Sequence, residues 1–180
     1  MKSSNGHEVQ ANDHILGPAK GKVTLIQYGD FECGFCHDAF PIVEKLCERF
    51  KDDLTFVFRH FPLTQMHPEA ESAARASEAA SNQGRFWPMH KLLYEAVELS
   101  ENNYARFASQ LGLDLDRFAD DFADDGVEAK IKGDFMGGIR LGVNGTPAFF
   151  VDGELFEGNW KHGALEKMIS VKLDKPHLHA

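Results

Sequence analysis

The chain has 180 residues, 43% of them hydrophobic and fifteen of them Phe, enough for one domain with a substantial core. Nineteen Lys and Arg against twenty-eight Asp and Glu give a formal charge of −9, with the acidic residues spread along the chain rather than gathered in one block. That balance argues against nucleic acid or an anionic membrane as the main partner, and three cysteines are too few and too oddly numbered for a disulfide-stapled secreted scaffold.

The first fourteen residues, "MKSSNGHEVQANDH", carry no apolar run fit for the core of a signal peptide, and no segment approaches the length of a membrane span. As written the chain reads as cytoplasmic, with export left open if a leader has been trimmed. A polar N-terminal arm leads into "KVTLIQYGDF" (22–31), a buried strand that breaks at Gly29-Asp30. From Phe35 onward, Ala39, Phe40, Ile42, Val43, Leu46, Cys47 and Phe50 recur at helical spacing, so Cys33 and Cys36 open a helix. Pro41 lies inside it and is expected to kink it. "LTFVFRHFP" (54–62) is a second strand, ended by Pro62. Five helical pieces follow, separated by Gly or Asp: "HPEAESAARASEAASNQ", "FWPMHKLLYEAVE", "NNYARFASQLG", "LDRFADDFAD" and "VEAKIKGDFMGGIRLG". "TPAFFVDG" (146–153) and "ELFEG" (154–158) form a hairpin at Asp152-Gly153, and a last helix runs from about Lys161 to Lys172.

The stretch "DFECGFCHDAF" (30–40) can be cut two ways. Cys33 and Cys36 alone make a redox dithiol; with His37 they make the attachment signature of a c-type haem. The haem reading needs a second axial ligand, for which Met66, Met89, Met136 and Met168 qualify by type, and it needs an oxidising compartment. A zinc or copper site on Cys33, Cys36 and a His lacks a second ligand pair at tight spacing. A dithiol opening a helix directly after a strand favours redox chemistry. Cys33, at the helix N-terminus, faces unpaired backbone N–H groups and the positive end of the helix dipole, both of which favour the thiolate and hence nucleophilic attack. Cys36, one turn further in, is placed to resolve a mixed disulfide. His37 follows Cys33 by four residues and is a candidate for supplying positive charge, against a solvated helix His with no role. Cys47 lies roughly 16 Å further along the same helix, too far to bridge to the pair, and reads as an apolar filler.

The order of elements, with C-x-x-C at the start of the first helix and a Thr-Pro before the third strand, resembles the thioredoxin fold with a helical insertion, as in the DsbA-like disulfide oxidoreductases. The resemblance runs from about Val23 to Lys172 and rests on "QYGDFECGFCH", "FRHFPL", "HPEA", "GRFWPMHKLL" and "LGVNGTPAFFVDG". It implies a single α/β domain, a central mixed sheet flanked by helices, with its core at about 22–64 and 142–173 and a helical insertion at about 65–141 capping the dithiol. It also implies thiol–disulfide exchange with protein or low-molecular-weight thiol substrates, a redox recycling partner, no cofactor and no metal. By the same resemblance Pro147 follows a cis peptide bond, Thr146 pairs with an extended substrate, and Phe35 lies beside the nucleophile at the substrate surface. Phe86, Trp87 and His90 are either groove lining or core. One departure stands out: where such enzymes commonly place a buried carboxylate six residues before the first Cys, this chain has Gln27, which cannot titrate. Asp30 and Glu32 are nearer, but turn carboxylates are more often solvated or capping. Against the enzyme stands a non-catalytic thioredoxin-like interaction module that binds a partner around Thr146 and Pro147.

Overall fold

Two strands of β-branched and aromatic residues organise the molecule, and the computed structural model describes residues 7–174 of it. The first six residues of the polar arm lie outside the described residues, so its expected character is untested there. β2 (Val23–Gly29) and β3 (Leu54–His60) pair in parallel and are buried along almost their whole length, as central strands covered on both faces are. β4 (Ala148–Val151) pairs antiparallel with β2, and β5 (Glu154–Leu155) with β4. On the other edge, β1 (His14–Leu16) pairs antiparallel with β3, giving the order β1-β3-β2-β4-β5. The N-terminal arm therefore contributes a strand that its polar composition did not announce.

Side chains alternate across the sheet. Leu25, Phe56, Phe58, Phe149 and Val151 face a large core shared with α1 (Gly34–Arg49), α2 (Ala70–Ser81), α3 (Phe86–Glu95), α4 (Glu101–Gln110), α5 (Leu115–Phe122) and α7 (Ala164–Asp174). Ile26, Tyr28, Val57 and Phe150 face a second core closed by α6 (Asp125–Arg140), where Gly138 lets the helix approach the rings of Phe61 and Tyr28. α1 continues through Pro41 without a break. α7 starts later than its sequence suggests, at Ala164, because His162 and Gly163 adopt positive φ angles of 56° and 78° that end the preceding turn.

Two buried ionic groups fasten the arm to this frame. The Arg59 guanidinium donates to both carboxylate oxygens of Asp13 at 2.8 Å, to the Tyr28 hydroxyl at 3.1 Å and to the Glu8 carbonyl at 2.7 Å. On the opposite face of β3, Glu78 of α2 takes contacts from His14 and His60. Burial pushes the Glu78 carboxyl up, but those two imidazoles outweigh it and hold the group far below the usual carboxylate range.

Candidate active site

The end of β2 is a polar turn built around Asp30. Its buried carboxylate accepts from the Glu32 and Leu63 backbone N–H groups at 2.8 and 2.9 Å and sits 2.7 Å from His67 Nδ1. It is thus neither solvated nor a helix cap; it locks the loop that carries the first cysteine. Cys33 is the N-cap of α1, with extended backbone, and its carbonyl accepts from Cys36 and His37. Across the groove, the Thr146–Pro147 peptide bond is cis, and the Thr146 carbonyl lies 3.4 Å from Cys33 Sγ.

The two thiols are made unequal. A hydrogen bond from the Cys36 thiol is the largest influence on Cys33; although burial opposes it, the Thr146 hydroxyl and the Cys36 and Phe35 amides add to it, and the Cys33 thiol falls to about 5. Cys36, fully buried, is pushed well above its ordinary value by burial, then by its hydrogen bond to Cys33 and by the charge there. The Thr146 hydroxyl acts on both sulfurs and has no other hydrogen-bond partner. Phe35 is 63% exposed and Gly34 has open space above its Cα, so the nucleophile stands beside an apolar, accessible surface. Lys161 lies over the Phe35 ring at 5.7 Å.

Other sequence candidates fall elsewhere. His37 turns its Nε2 to the Phe31 carbonyl at 2.7 Å and its ring against Tyr94, so its side chain is held by those two residues. Among the described residues, Cys33, Cys36 and His37 do not form a convergent set of metal-ligating atoms. Gln27 is buried on β2, on the face it shares with Leu25. Phe86 and His90 are 5% exposed and belong to the core rather than to a groove, and Trp87 donates its indole N–H to the Ile15 carbonyl. Cys47 is half-buried, and burial, with Glu44 nearby, pushes its thiol up to about 12.

Two residues near the dithiol carry no signal in the sequence alone. His67 belongs to "HPEA". Burial pushes its pKa down, but the hydrogen bond to Asp30, the charge of Asp30 and that of Cys33 raise it overall, so its charged form is favoured by the same turn that carries the nucleophile. Tyr94, on α3, is buried with its hydroxyl unpartnered; burial, then the charges of Cys36 and Asp30, push its pKa well up. The packing of α3 on α1 brings Tyr94 to the cysteines, and the bond to Asp30 brings His67 there from the turn before α2.

A family model described as thioredoxin matches residues 10–170. The chain belongs to the thioredoxin family. Among solved structures it is similar to a thioredoxin-like oxidoreductase from Silicibacter pomeroyi DSS-3, at 26% identity and a TM-score of 0.85, covering 96% of this chain and 99% of that one. The thiol-disulfide exchange protein alpha-DsbA2 from Wolbachia pipientis shares the fold, at 23% identity and a TM-score of 0.78, over 89% of this chain and 87% of that one. The fold is therefore that of the DsbA-like thioredoxin-fold oxidoreductases. A Na(+)/H(+) antiporter NhaA 1 from Salinispora arenicola is 42% identical over 159 residues, 88% of this chain but 24% of the antiporter. The chain thus spans about a quarter of the length of the curated relatives it matches. Among the described residues, no helix is long and apolar enough to cross a membrane.

Proposed function

We propose that the protein is a thiol–disulfide oxidoreductase that exchanges disulfides with protein or small thiol substrates through Cys33 and Cys36. The observation that carries this reading is the inequality of the pair: one thiol at a helix N-terminus lowered to about 5, its buried neighbour pushed well above the ordinary value. The Cys33 thiolate attacks one sulfur of a substrate disulfide; that S–S bond breaks, the other substrate sulfur leaves as a thiolate, and a mixed disulfide forms on Cys33. Cys36 then loses its proton and attacks Cys33 Sγ, which expels the second substrate thiolate and closes the Cys33–Cys36 disulfide. The substrate gains two electrons and the protein loses two; run backwards, the same steps oxidise a substrate dithiol. Thr146 and Pro147 line the approach to Cys33, and Phe35 offers apolar contact to the segment around the substrate disulfide. Gln27 holds the position of the common carboxylate without titrating.

In a reducing cytosol, the placement proposed from the sequence, such a pair rests as the dithiol and works as a reductant or isomerase; in an oxidising compartment it works as a disulfide donor. A recycling partner restores it in either case. A nucleophile at about 5 lies between the thiols of thioredoxin (about 7) and DsbA (about 3.5), so the reduction potential is expected between about −270 and −120 mV. Equilibration in glutathione buffers with trapping of free thiols measures it, and turnover of a disulfide substrate is expected to vanish in Cys33→Ser. A pair with no reversible two-electron couple, in a protein whose Cys33→Ser variant keeps its partners, would overturn the enzyme in favour of an interaction module.

A further inference from the structure

Away from the dithiol, β1, β3 and α2 bring three metal-ligating groups together. His14 Nε2 and His60 Nε2 lie 2.6 and 2.7 Å from the same oxygen, Glu78 Oε1, and the donor atoms all fall within 4.8 Å of one another. The side chains of His14, His60 and Glu78 are 11%, 1% and 8% exposed, so this is an interior cluster and not a chance meeting of surface groups. Among the described residues it is the one set of three such donors that converges.

The surroundings hold the donors still. The His14 ring lies flat on Phe86, centroids 3.4 Å apart and planes within 4°. His60 is wedged edge-on against Phe58 and Phe86, and its backbone N–H donates to Asp134. Among the described residues no ammonium pairs with Glu78: Lys130, whose charge reaches His14, gives its Nζ to both oxygens of Asp134 at 2.7 and 2.6 Å. The His60 Nδ1 is buried with no partner.

We propose that His14, His60 and Glu78 bind one divalent cation of borderline softness, of which Zn2+ is the type, through His14 Nε2, His60 Nε2 and Glu78 Oε1. Two imidazoles and a carboxylate suit Zn2+ or Co2+ and are a poor set for Mg2+ or Ca2+, which prefer all-oxygen shells. Tetrahedral ligands about 2.1 Å from a metal stand roughly 3.4 Å from one another, so His14 retreats from the carboxylate by about 0.8 Å and His60 by about 0.7 Å to admit the ion. β1 is an edge strand and His14 the most exposed of the three, which makes that side both the compliant one and the way in. On binding, the proton on each Nε2 moves to Nδ1 or leaves to solvent. The ion would clamp the N-terminal strand onto β3 and α2.

The test uses the full chain with Cys33→Ser and Cys36→Ser, so that the dithiol takes no metal. After chelator treatment, Zn2+ or Co2+ titrated by calorimetry is expected to bind at one equivalent. The bound Co2+ is expected to show only nitrogen and oxygen neighbours by X-ray absorption. His14→Gln and Glu78→Gln are each expected to weaken binding at least about tenfold. Should Glu78→Gln fail to fold, His14→Gln decides, with circular dichroism checking its fold. Binding unchanged in His14→Gln, which would place the metal on other histidines, or no stoichiometric binding at all, overturns the site.

Discussion

Removing the resolving thiol tests the electrostatics of the nucleophile directly. In Cys36→Ala the Cys33 thiolate loses the hydrogen bond that lowers it most. A hydrogen bond to a charged group contributes about 1.5–3 kcal/mol, and one pKa unit corresponds to about 1.4 kcal/mol. The Cys33 midpoint is therefore expected to rise from about 5 by roughly 1 to 2 units. The assay is the rate of carboxamidomethylation of Cys33 against pH, with the modified residue identified by mass. The background is quiet, because Cys47 is pushed up to about 12 and Cys36 well above its ordinary value, leaving one thiol to titrate in the acidic range. A wild-type midpoint near that of free cysteine, or no upward shift in Cys36→Ala, refutes the reasoning.

The same shift sets how stability depends on pH. Between about 5 and the unfolded value of about 8.5, the unfolded chain holds a proton on Cys33 that the folded dithiol protein has lost. Stability of the reduced protein thus rises with pH across this window, is fully present above it, and is lost as pH falls through the folded value. Cys36, being raised, acts in the opposite direction, but only above its unfolded value. The disulfide form has neither contribution, so the melting temperature of the reduced protein relative to the oxidised one is expected to climb between those limits.

Three further substitutions separate the roles of neighbouring groups. Thr146→Val removes the hydroxyl that acts on both sulfurs and is expected to raise the Cys33 alkylation midpoint by less than about one unit; an unchanged midpoint refutes that contact. Tyr94→Phe deletes a buried hydroxyl whose influence is on Cys36, so stability to urea should stay within about 1 kcal/mol, while the mixed disulfide, which Cys36 resolves, should persist longer with glutathione. Loss of several kcal/mol with unchanged lifetime would make Tyr94 purely structural. Asp13→Ala leaves the Arg59 charge buried without its carboxylate and is expected to cost about 3 kcal/mol, the lower end for a broken buried pair, because the Tyr28 and Glu8 contacts remain; a cost below about 1 kcal/mol would mean the pair behaves as if solvated.

Much of this arrangement was legible in the chain because periodicity is local. β2, α1, β3 and β4 follow from runs of apolar residues at spacings of two or of three and four, and the place of the dithiol follows from them. β1 was not legible: it has three residues, includes a histidine, and exists through its pairing with β3 some forty residues later. His37 shows the limit of spacing arguments, for the i, i+4 position puts it on the Cys33 side of α1 while the Phe31 carbonyl takes its ring nitrogen. Tyr94 sits in a segment whose helical character was plain and His67 in the turn ahead of α2, yet their nearness to the cysteines depends on how α3 packs on α1 and on the Asp30 contact that holds the turn. Glu78 looked like one charge among several in an Ala-rich helix; only the sheet turns it inward onto two histidines.

With Gln27 unable to titrate, the proton of Cys36 needs another route, and the charges around the pair suggest how its release is timed. Asp30 holds its carboxylate on the Glu32 and Leu63 amides and on His67. Burial, the hydrogen bond to Cys33 and the charge on Cys33 keep the Cys36 proton in place. The last two vanish once the Cys33 sulfur is bonded to a substrate and neutral. Of the raising influences only burial remains, while the Asp30 backbone and the Thr146 hydroxyl still pull the group down, so the mixed disulfide itself should lower the Cys36 pKa and arm the second attack only after the first has occurred. A stable thioether on Cys33 imitates that neutral sulfur without reacting further. In such a protein the ultraviolet thiolate absorbance of Cys36 is expected to appear at lower pH than when Cys33 is a free thiolate, with Cys47→Ser as background. A Cys36 midpoint that stays where it was, or rises, would mean that burial alone sets it, and the timing would then have to come from movement of the substrate.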